Sequence, residues 1–247
     1  MAKRNYDRIA SKVGKAGEFV ADRQTLKSLE FVERPVIDDQ KVNVLVLGAS
    51  GAGKSTLIKC LLGIKPLDSG TITMSDGLKP TDIGYLPQHT NLQNGFPATV
   101  GEVVISGCLG RRGLRPFYSP AEKKIAREAM ERLGIAELAK RSCRELSGGQ
   151  QQRMFLARAM CAAKKLLLLD EPVTGLDPTA QEEMYSLITE LNQKDGMTVI
   201  MVSHDVVKSV DCANRILCLC SSDHSFFGTP EEYLGSHLGS KFLGELK

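Results

Sequence analysis

The chain has 247 residues, 42% of them apolar and 25% charged, which allows one large globular domain or a domain with a subdomain. A net charge of +3 gives no compositional sign of a nucleic-acid binder, and no apolar run approaches the roughly 18–20 residues of a membrane helix. Met1-Ala2-Lys3-Arg4-Asn5-Tyr6 lacks the apolar core of a secretory signal, and seven cysteines without a Cys-x-x-Cys pair fit free thiols in a reducing compartment. A cytoplasmic location is expected.

Residues 1–40 carry little pattern. Lys3, Arg4, Arg8, Lys12 and Lys15 make a basic start that reads as a solvated face, and the stretch from Phe19 to Phe31 suggests two short strands and a turn. From Val42 the signal sharpens. Val42-Asn43-Val44-Leu45-Val46-Leu47 predicts a strand buried on both faces, and Leu57-Ile58-Lys59-Cys60-Leu61-Leu62 predicts a helix stopped by Gly63. Between them stands Gly48-Ala49-Ser50-Gly51-Ala52-Gly53-Lys54-Ser55-Thr56, a Gly-x-x-x-x-Gly-Lys-Ser pattern in the strand–loop–helix context of a phosphate-binding loop. The glycines let successive backbone N–H groups curl around an anion, and the helix N-terminus adds partial positive charge. Lys54 can reach terminal phosphates there, and Ser55 can offer its hydroxyl to Mg²⁺.

Gly63 to Gly84 reads as loops and short strands around Pro66, Gly70 and Gly77. Ile83-Gly84-Tyr85-Leu86-Pro87-Gln88 reads as a short strand ended by proline, with Gln88 exposed just after it. Residues 89–163 then read as mostly helical. Arg111, Arg112 and Arg115 cluster in a Gly/Pro-rich loop and read as solvated. Ser119-Pro120-Ala121-Glu122 is a capping box opening a helix in which Ile125, Ala129 and Leu133 recur every four residues before Gly134. Leu146-Ser147-Gly148-Gly149-Gln150 precedes a second helix running to about Ala163.

Leu166-Leu167-Leu168-Leu169 is a short buried strand, and a helix capped by Asp177-Pro178 runs to about Asn192. Val199-Ile200-Met201-Val202 is another strand, ending at Ser203-His204-Asp205. Cys218 and Cys220 share one face of a further strand and read as packing thiols. Strand–helix alternation on both sides of a helical insert implies an α/β fold, a parallel sheet with an inserted subdomain.

Asp170 and Glu171 end the four-leucine strand, and in open parallel sheets ligands gather at the carboxyl ends of strands, the edge where Lys54 also falls. Asp170 is suited to hold Mg²⁺, which takes a few carboxylates together with phosphate oxygens. Glu171 is suited to orient a water for in-line attack on a γ-phosphate.

With these motifs in order, the chain resembles the ABC (ATP-binding cassette) ATPases over about residues 42 to 235. The loop at 48–55 is similar to their Walker A, Leu166–Glu171 to their Walker B and Leu146-Ser147-Gly148-Gly149-Gln150 to their signature. Gln88 falls at the Q-loop, Gly175-Leu176-Asp177 at the D-loop and His204 at the switch histidine. The resemblance implies a P-loop NTPase (RecA-like) core, residues 1–88 and 164–247, with a mostly parallel sheet and an N-terminal antiparallel β portion. A helical signature subdomain would occupy residues 89–163.

It further implies that the chain binds ATP and Mg²⁺ and hydrolyses ATP. Glu171, His204 and Gln88 would act in catalysis, with Ser55, Gln88 and Asp170 at the metal and Gly48 to Thr56 around the phosphates. Ser147, Gly148, Gly149, Gln150 and Asp177 would face ATP held by a second copy, so that ATP binding closes a homodimer. Phe19 is the candidate for the aromatic that stacks on adenine, although the first forty residues depart from the family pattern. Ala49-Ser50 stands where Pro/Glu-Asn is common, at two variable positions.

A finer resemblance points to the ATPases of zinc and manganese uptake. It rests on Phe96-Pro97-Ala98-Thr99-Val100-Gly101-Glu102-Val103-Val104, Met201-Val202-Ser203-His204-Asp205-Val206-Val207 and Phe226-Phe227-Gly228-Thr229-Pro230-Glu231-Glu232-Tyr233-Leu234. It implies an energy-coupling subunit on the inner face of the cell membrane, with integral membrane permease subunits docking near Gln88, no direct membrane insertion and no nucleic-acid partner. An iron–sulfur assembly ATPase, or an importer subunit for another substrate, stays open. A DNA-repair ATPase would need a long coiled coil, for which the interval from Gln88 to Leu146 is too short, and translation factors usually carry two motif sets. A GTPase would need Asn-Lys-x-Asp after a strand, whereas Asn192-Gln193-Lys194-Asp195 has its lysine displaced and follows a helix. His89, His204, His224 and His237 are scattered, so the transported ion is not expected to bind this chain.

Overall fold

The computed structural model describes residues 42–74, 77–88, 97–113, 115–219 and 225–239. Phe19, the strands expected between Phe19 and Phe31, the stretch from His89 to Phe96, and Cys220 lie outside the described residues. In chain order the elements begin with β1 (Asn43–Gly48), α1 (Lys54–Leu61), β2 (Ile83–Leu86), α2 (Val100–Ile105) and α3 (Leu109–Arg112). They continue with α4 (Pro120–Arg132), α5 (Gly148–Ala162), β3 (Leu166–Asp170), α6 (Pro178–Gln193) and β4 (Thr198–Val202). The last are α7 (Val206–Val210), β5 (Arg215–Leu219), β6 (Phe226–Gly228) and α8 (Pro230–Leu234). By compactness the chain forms two units, residues 1–80 with 200–247 and residues 81–199.

In the first unit β5 runs parallel to β1, from Val44 beside Arg215 to Gly48 beside Leu219, and β6 is antiparallel to β5. Ser203, just past β4, donates its N–H to Val46 O at 3.4 Å, which sets the end of β4 beside β1. Every residue of β1 is buried, as its unbroken apolar run requires of a strand covered on both faces. Its one polar side chain, Asn43, is engaged: the backbone N–H donates to Asn214 Oδ1 and the side-chain amide to Cys212 O. Helix α1 buries Leu57, Ile58 and Leu61, each contributing roughly 1.5–3 kcal/mol by leaving water. The short strands expected after Gly63 are absent among the described residues before β2. Pro66, Gly70 and Gly77 break any ladder, and the segment ends in a single 3₁₀ turn, Pro80–Asp82.

In the second unit β2 runs parallel to β3, from Ile83 beside Leu166 to Leu86 beside Leu169. Thr198, opening β4, donates to Lys165 O at 2.8 Å, so the start of β4 lies beside β3. All five β3 residues are buried. Helix α5 packs on β2 by backbone contact: a Cβ at Gly84 would stand 2.2 Å from Ala159 O. Helices α2, α4 and α5 open on capping boxes, at Thr99 with Glu102, Ser119 with Glu122 and Ser147 with Gln150.

The buried stripe of α4 is Ala126, Ala129 and Met130, followed by Leu133, and Ile125 lies only half-buried at its edge. The arginine cluster before α4 is more engaged than a solvated loop. Arg115 pairs with Glu122 at 2.8 Å and donates to the Arg111 and Arg112 carbonyls, and Arg112 stacks on Tyr118 at 5.1 Å. Cys60, Cys108, Cys143, Cys161, Cys212 and Cys218 are free thiols. Burial pushes the Cys161 thiol up to about 12, which makes it a packing group rather than a reactive one.

Candidate functional site

The first unit supplies the phosphate loop. Strand β1 ends at Gly48, where a Cβ would come within 2.3 Å of Leu219 O on β5, so the chain leaves the sheet through a position that only glycine fits. Gly51 and Gly53 have φ of 80 and 97, the left-handed region, and a Cβ at Gly51 would meet nothing within 4 Å. Space is therefore left in front of the loop. Helix α1 starts on Gly53 with no side-chain cap, so its first N–H groups are not covered by a capping oxygen. Lys54 is buried to 7% exposure and folds its ammonium over the loop, donating to Gly48 O at 2.7 Å and Ala49 O at 2.9 Å. A buried cation, open N–H groups and empty space at one helix start form an anion cradle.

Ala49, Ser50 and Ser55 are exposed around this cradle, and Ala52 and Thr56 half-buried. His204 is exposed just past β4, in a turn where Ser203 Oγ accepts from Asp205 N–H at 3.1 Å and Asp205 caps α7.

The second unit holds the acidic pair, the glutamine and the signature. Asp170 and Glu171 are buried to 5% and 8% exposure at the end of β3. Tyr85 pairs in register with Leu168, which puts it on the same sheet face as Asp170. Its phenol is raised by burial and then by the Asp170 charge. Gln88 is half-buried two residues beyond β2. Among the described residues, Glu171 is the one non-glycine with positive φ, at 52, a strain on the order of 1–3 kcal/mol. Thr174 returns to it twice, its N–H donating to Glu171 O at 3.2 Å and its hydroxyl to Glu171 Oε2 at 3.0 Å.

The signature lies at the start of α5. Leu146 is buried, while Ser147 and Gly148 are exposed. Ser147 is the helix cap: its Oγ accepts from Gln150 N–H at 3.3 Å, and Gln150 Oε1 accepts from Ser147 N–H at 3.0 Å. A Cβ at Gly148 would meet nothing within 4 Å. Asp177 caps α6 through Ala180 N–H at 3.0 Å. Gln152, on α5, donates to Pro172 O at 2.7 Å and ties the signature helix to the loop after Glu171. Gln152, Thr174 and Tyr85 escaped the sequence reading.

The donors suit the groups a phosphate loop takes. Glycine N–H groups and Lys54 fit a polyphosphate, and the Ser55 hydroxyl and Asp170 carboxylate are oxygen donors of the kind a hard cation such as Mg²⁺ accepts. The family model described as "ABC transporter" matches residues 39–174. The manganese transport system ATP-binding protein MntB of Bacillus subtilis (strain 168) is 36% identical over 228 residues, 89% of this chain and 91% of the relative. The zinc uptake system ATP-binding protein ZurA of Listeria innocua is 37% identical over 195 residues, 76% of this chain and 75% of the relative. A dimeric bacterial ABC transporter cassette, MJ0796, superposes with a TM-score of 0.61 at 28% identity, covering 78% of this chain and 87% of that one.

Proposed function

This chain belongs to the ABC transporter family of ATPases, and on that premise we propose that it energises a membrane importer of a divalent metal ion, zinc or manganese. The reading is supported by the similarity to MntB and ZurA over most of the chain. The observation that carries the ATPase half is the Lys54 ammonium laid over an uncapped, glycine-lined helix start. There the loop from Gly48 to Thr56 binds the phosphates of ATP. Ser55, Asp170 and Gln88 are the residues that would hold Mg²⁺, which when bound would supply charge neutralisation at the phosphates. Glu171 takes a proton from the attacking water as oxygen bonds to the γ-phosphorus and ADP leaves with the bridging electron pair. His204 holds that water's geometry.

Two copies close head to tail in this proposal, as MJ0796 is a dimer. Ser147, Gly148, Gly149, Gln150 and Asp177 of one copy complete the site of the other. Residues 89–163 form the subdomain that carries the signature, and permease subunits dock near Gln88 on the cytoplasmic face of the membrane. Among the described residues no helix is long and apolar enough to cross a membrane, and in this proposal attachment runs through the permease subunits. The transported ion does not bind this chain, and titration with zinc in the absence of nucleotide should show no tight stoichiometric site.

Deleting the protein from its host tests the substrate. Growth should fail only when metal is scarce and recover on adding zinc or manganese. Recovery with neither, together with normal metal uptake, would contradict metal import.

A further inference from the structure

Glu171 is held in an unusual way. Its backbone has φ 52, a conformation that an L side chain rarely adopts, and its side chain is buried to 8% exposure. A carboxylate so placed needs a hydrogen-bond donor. Thr174, three residues on, supplies one: its hydroxyl donates to Glu171 Oε2 at 3.0 Å while its own backbone closes the turn on Glu171 O.

The loop around this pair is anchored at both ends. Gln152 on the signature helix donates to Pro172 O at 2.7 Å, Gln181 on α6 donates to Leu176 O at 3.0 Å, and Asp177 caps α6. Between these anchors stand Thr174 and Gly175. Both are exposed, and Gly175 has φ 80 with nothing within 4 Å of where a Cβ would lie. The hydroxyl that grips the buried carboxylate therefore sits on the unobstructed part of the loop, directly before Leu176 and Asp177.

We infer that Thr174 is a positioning residue for hydrolysis: its hydroxyl fixes the rotation of the Glu171 carboxylate that meets the attacking water. This rests on the reading of Glu171 as the base. A carboxylate accepts one proton, and rotation about its last side-chain bonds decides which lone pair meets the water. The Thr174 hydroxyl on Oε2 removes a rotational freedom of the carboxylate that would otherwise dilute the reactive geometry. The role needs a hydroxyl at residue 174 and nothing else from that side chain, so serine should serve and the isosteric valine should not. The role proposed for Thr174 is confined to the Glu171 carboxylate, so nucleotide affinity should be unaffected by its loss.

The test uses the purified full-length chain. Thr174→Val should lower kcat about tenfold, a part of the roughly 10²–10⁴-fold that a general base supplies. Its KM should stay within about twofold of the parent, as should the Kd of a non-hydrolysable ATP analogue followed by fluorescence, since uniform binding is untouched. Thr174→Ser should restore kcat to within about twofold of the parent. In a Glu171→Gln background, Thr174→Val should have no further effect, because residues acting as one unit are non-additive.

A Thr174→Val enzyme with the parent kcat overturns the inference while leaving Glu171 as base intact. Equal losses in Thr174→Ser and Thr174→Val also overturn it, since the turn and not the hydroxyl would then matter. The same loss in the Glu171→Gln background would show Thr174 acting apart from Glu171. A Glu171→Gln enzyme that turns over at the parent rate would remove the base reading and this inference with it.

Discussion

The two glycine-rich helix starts of this molecule, at Gly53 and at Ser147, are built on opposite plans. At the start of α1 no side chain caps the helix, two glycines hold positive φ, and a buried lysine covers the loop's own carbonyls. The backbone there is left incomplete, and an anion completes it. At the start of α5, Ser147 and Gln150 satisfy each other in a closed capping box, and the exposed Gly148 faces open space. That start is finished within its own chain. In the proposed reading the first plan suits a site that binds ATP by itself, and the second a surface that would offer a serine hydroxyl and bare glycine backbone to ATP held by a second copy. Glycine serves conformation in the first case and access in the second.

Substitutions at each kind of position should separate these plans. The largest effect is expected at Glu171: replacing it with glutamine should cut hydrolysis by roughly 10²–10⁴-fold while leaving Mg·ATP binding in place. Steady-state ATPase rates beside equilibrium nucleotide binding check it. Next comes the phosphate loop. Gly48→Ala would drive a methyl into Leu219 O, 2.3 Å away, forcing β1 and β5 apart at a cost of about 1–3 kcal/mol. Gly51→Ala has open space and pays only for its φ of 80, about 1–2 kcal/mol. Thermal unfolding should rank Gly48→Ala below Gly51→Ala, and an inverted order would mean that the close approach of Leu219 O is not what requires glycine at residue 48.

At the other helix start, Ser147→Ala should remove a cap worth about 1 kcal/mol. The nucleotide affinity of the single chain should stay as it was, which a binding titration under dilute conditions reads directly. The smallest effect is a pH dependence. The Ser119 backbone N–H, with help from its hydroxyl and from Arg115, holds the Glu122 carboxyl below the usual carboxylate range. A lowered acid stabilises the fold above its ordinary pKa and loses that support as pH falls through the folded value. Glu122→Gln should therefore flatten the acid limb of the unfolding profile, and an unchanged limb would place that dependence elsewhere.

Much of this was legible in the residues themselves, and the exceptions have physical causes. Strand β1, the phosphate loop and β3 announce themselves because each is contiguous and fully buried or fully glycine-patterned, so a local window carries the whole signal. The start of α4 was readable from Ser119-Pro120-Ala121-Glu122, but its buried stripe falls on Ala126, Ala129 and Met130 rather than on Ile125. Which face turns inward is decided by the neighbouring helices, not by α4 alone. Among the described residues no strand follows Gly63 before β2, and Pro66, Gly70 and Gly77 are the residues there that disfavour a ladder.

Within the site, the residue types were visible and their couplings were not. The Thr174 bond to Glu171 depends on a backbone φ of 52 that no propensity scale assigns to glutamate. The Gln152 bond to Pro172 joins residues 20 apart through the packing of α5 against a loop. The arginines at 111, 112 and 115 read as a solvated cluster because their partners are mostly main-chain carbonyls and a tyrosine face, and the one carboxylate, Glu122 paired with Arg115, lies seven residues away in the next helix.

The claim that the two helix starts serve one ATP from two chains is tested most directly by light scattering of the Glu171→Gln protein with Mg·ATP, with and without Ser147→Arg. Glu171→Gln should move to the mass of a dimer when ATP is added. The double variant should stay a monomer while binding ATP to each chain with an affinity close to that of the single variant. A double variant that still dimerises, or one whose single-chain ATP affinity falls as far as its dimerisation does, would show that the Ser147 start acts within its own chain and would contradict the account.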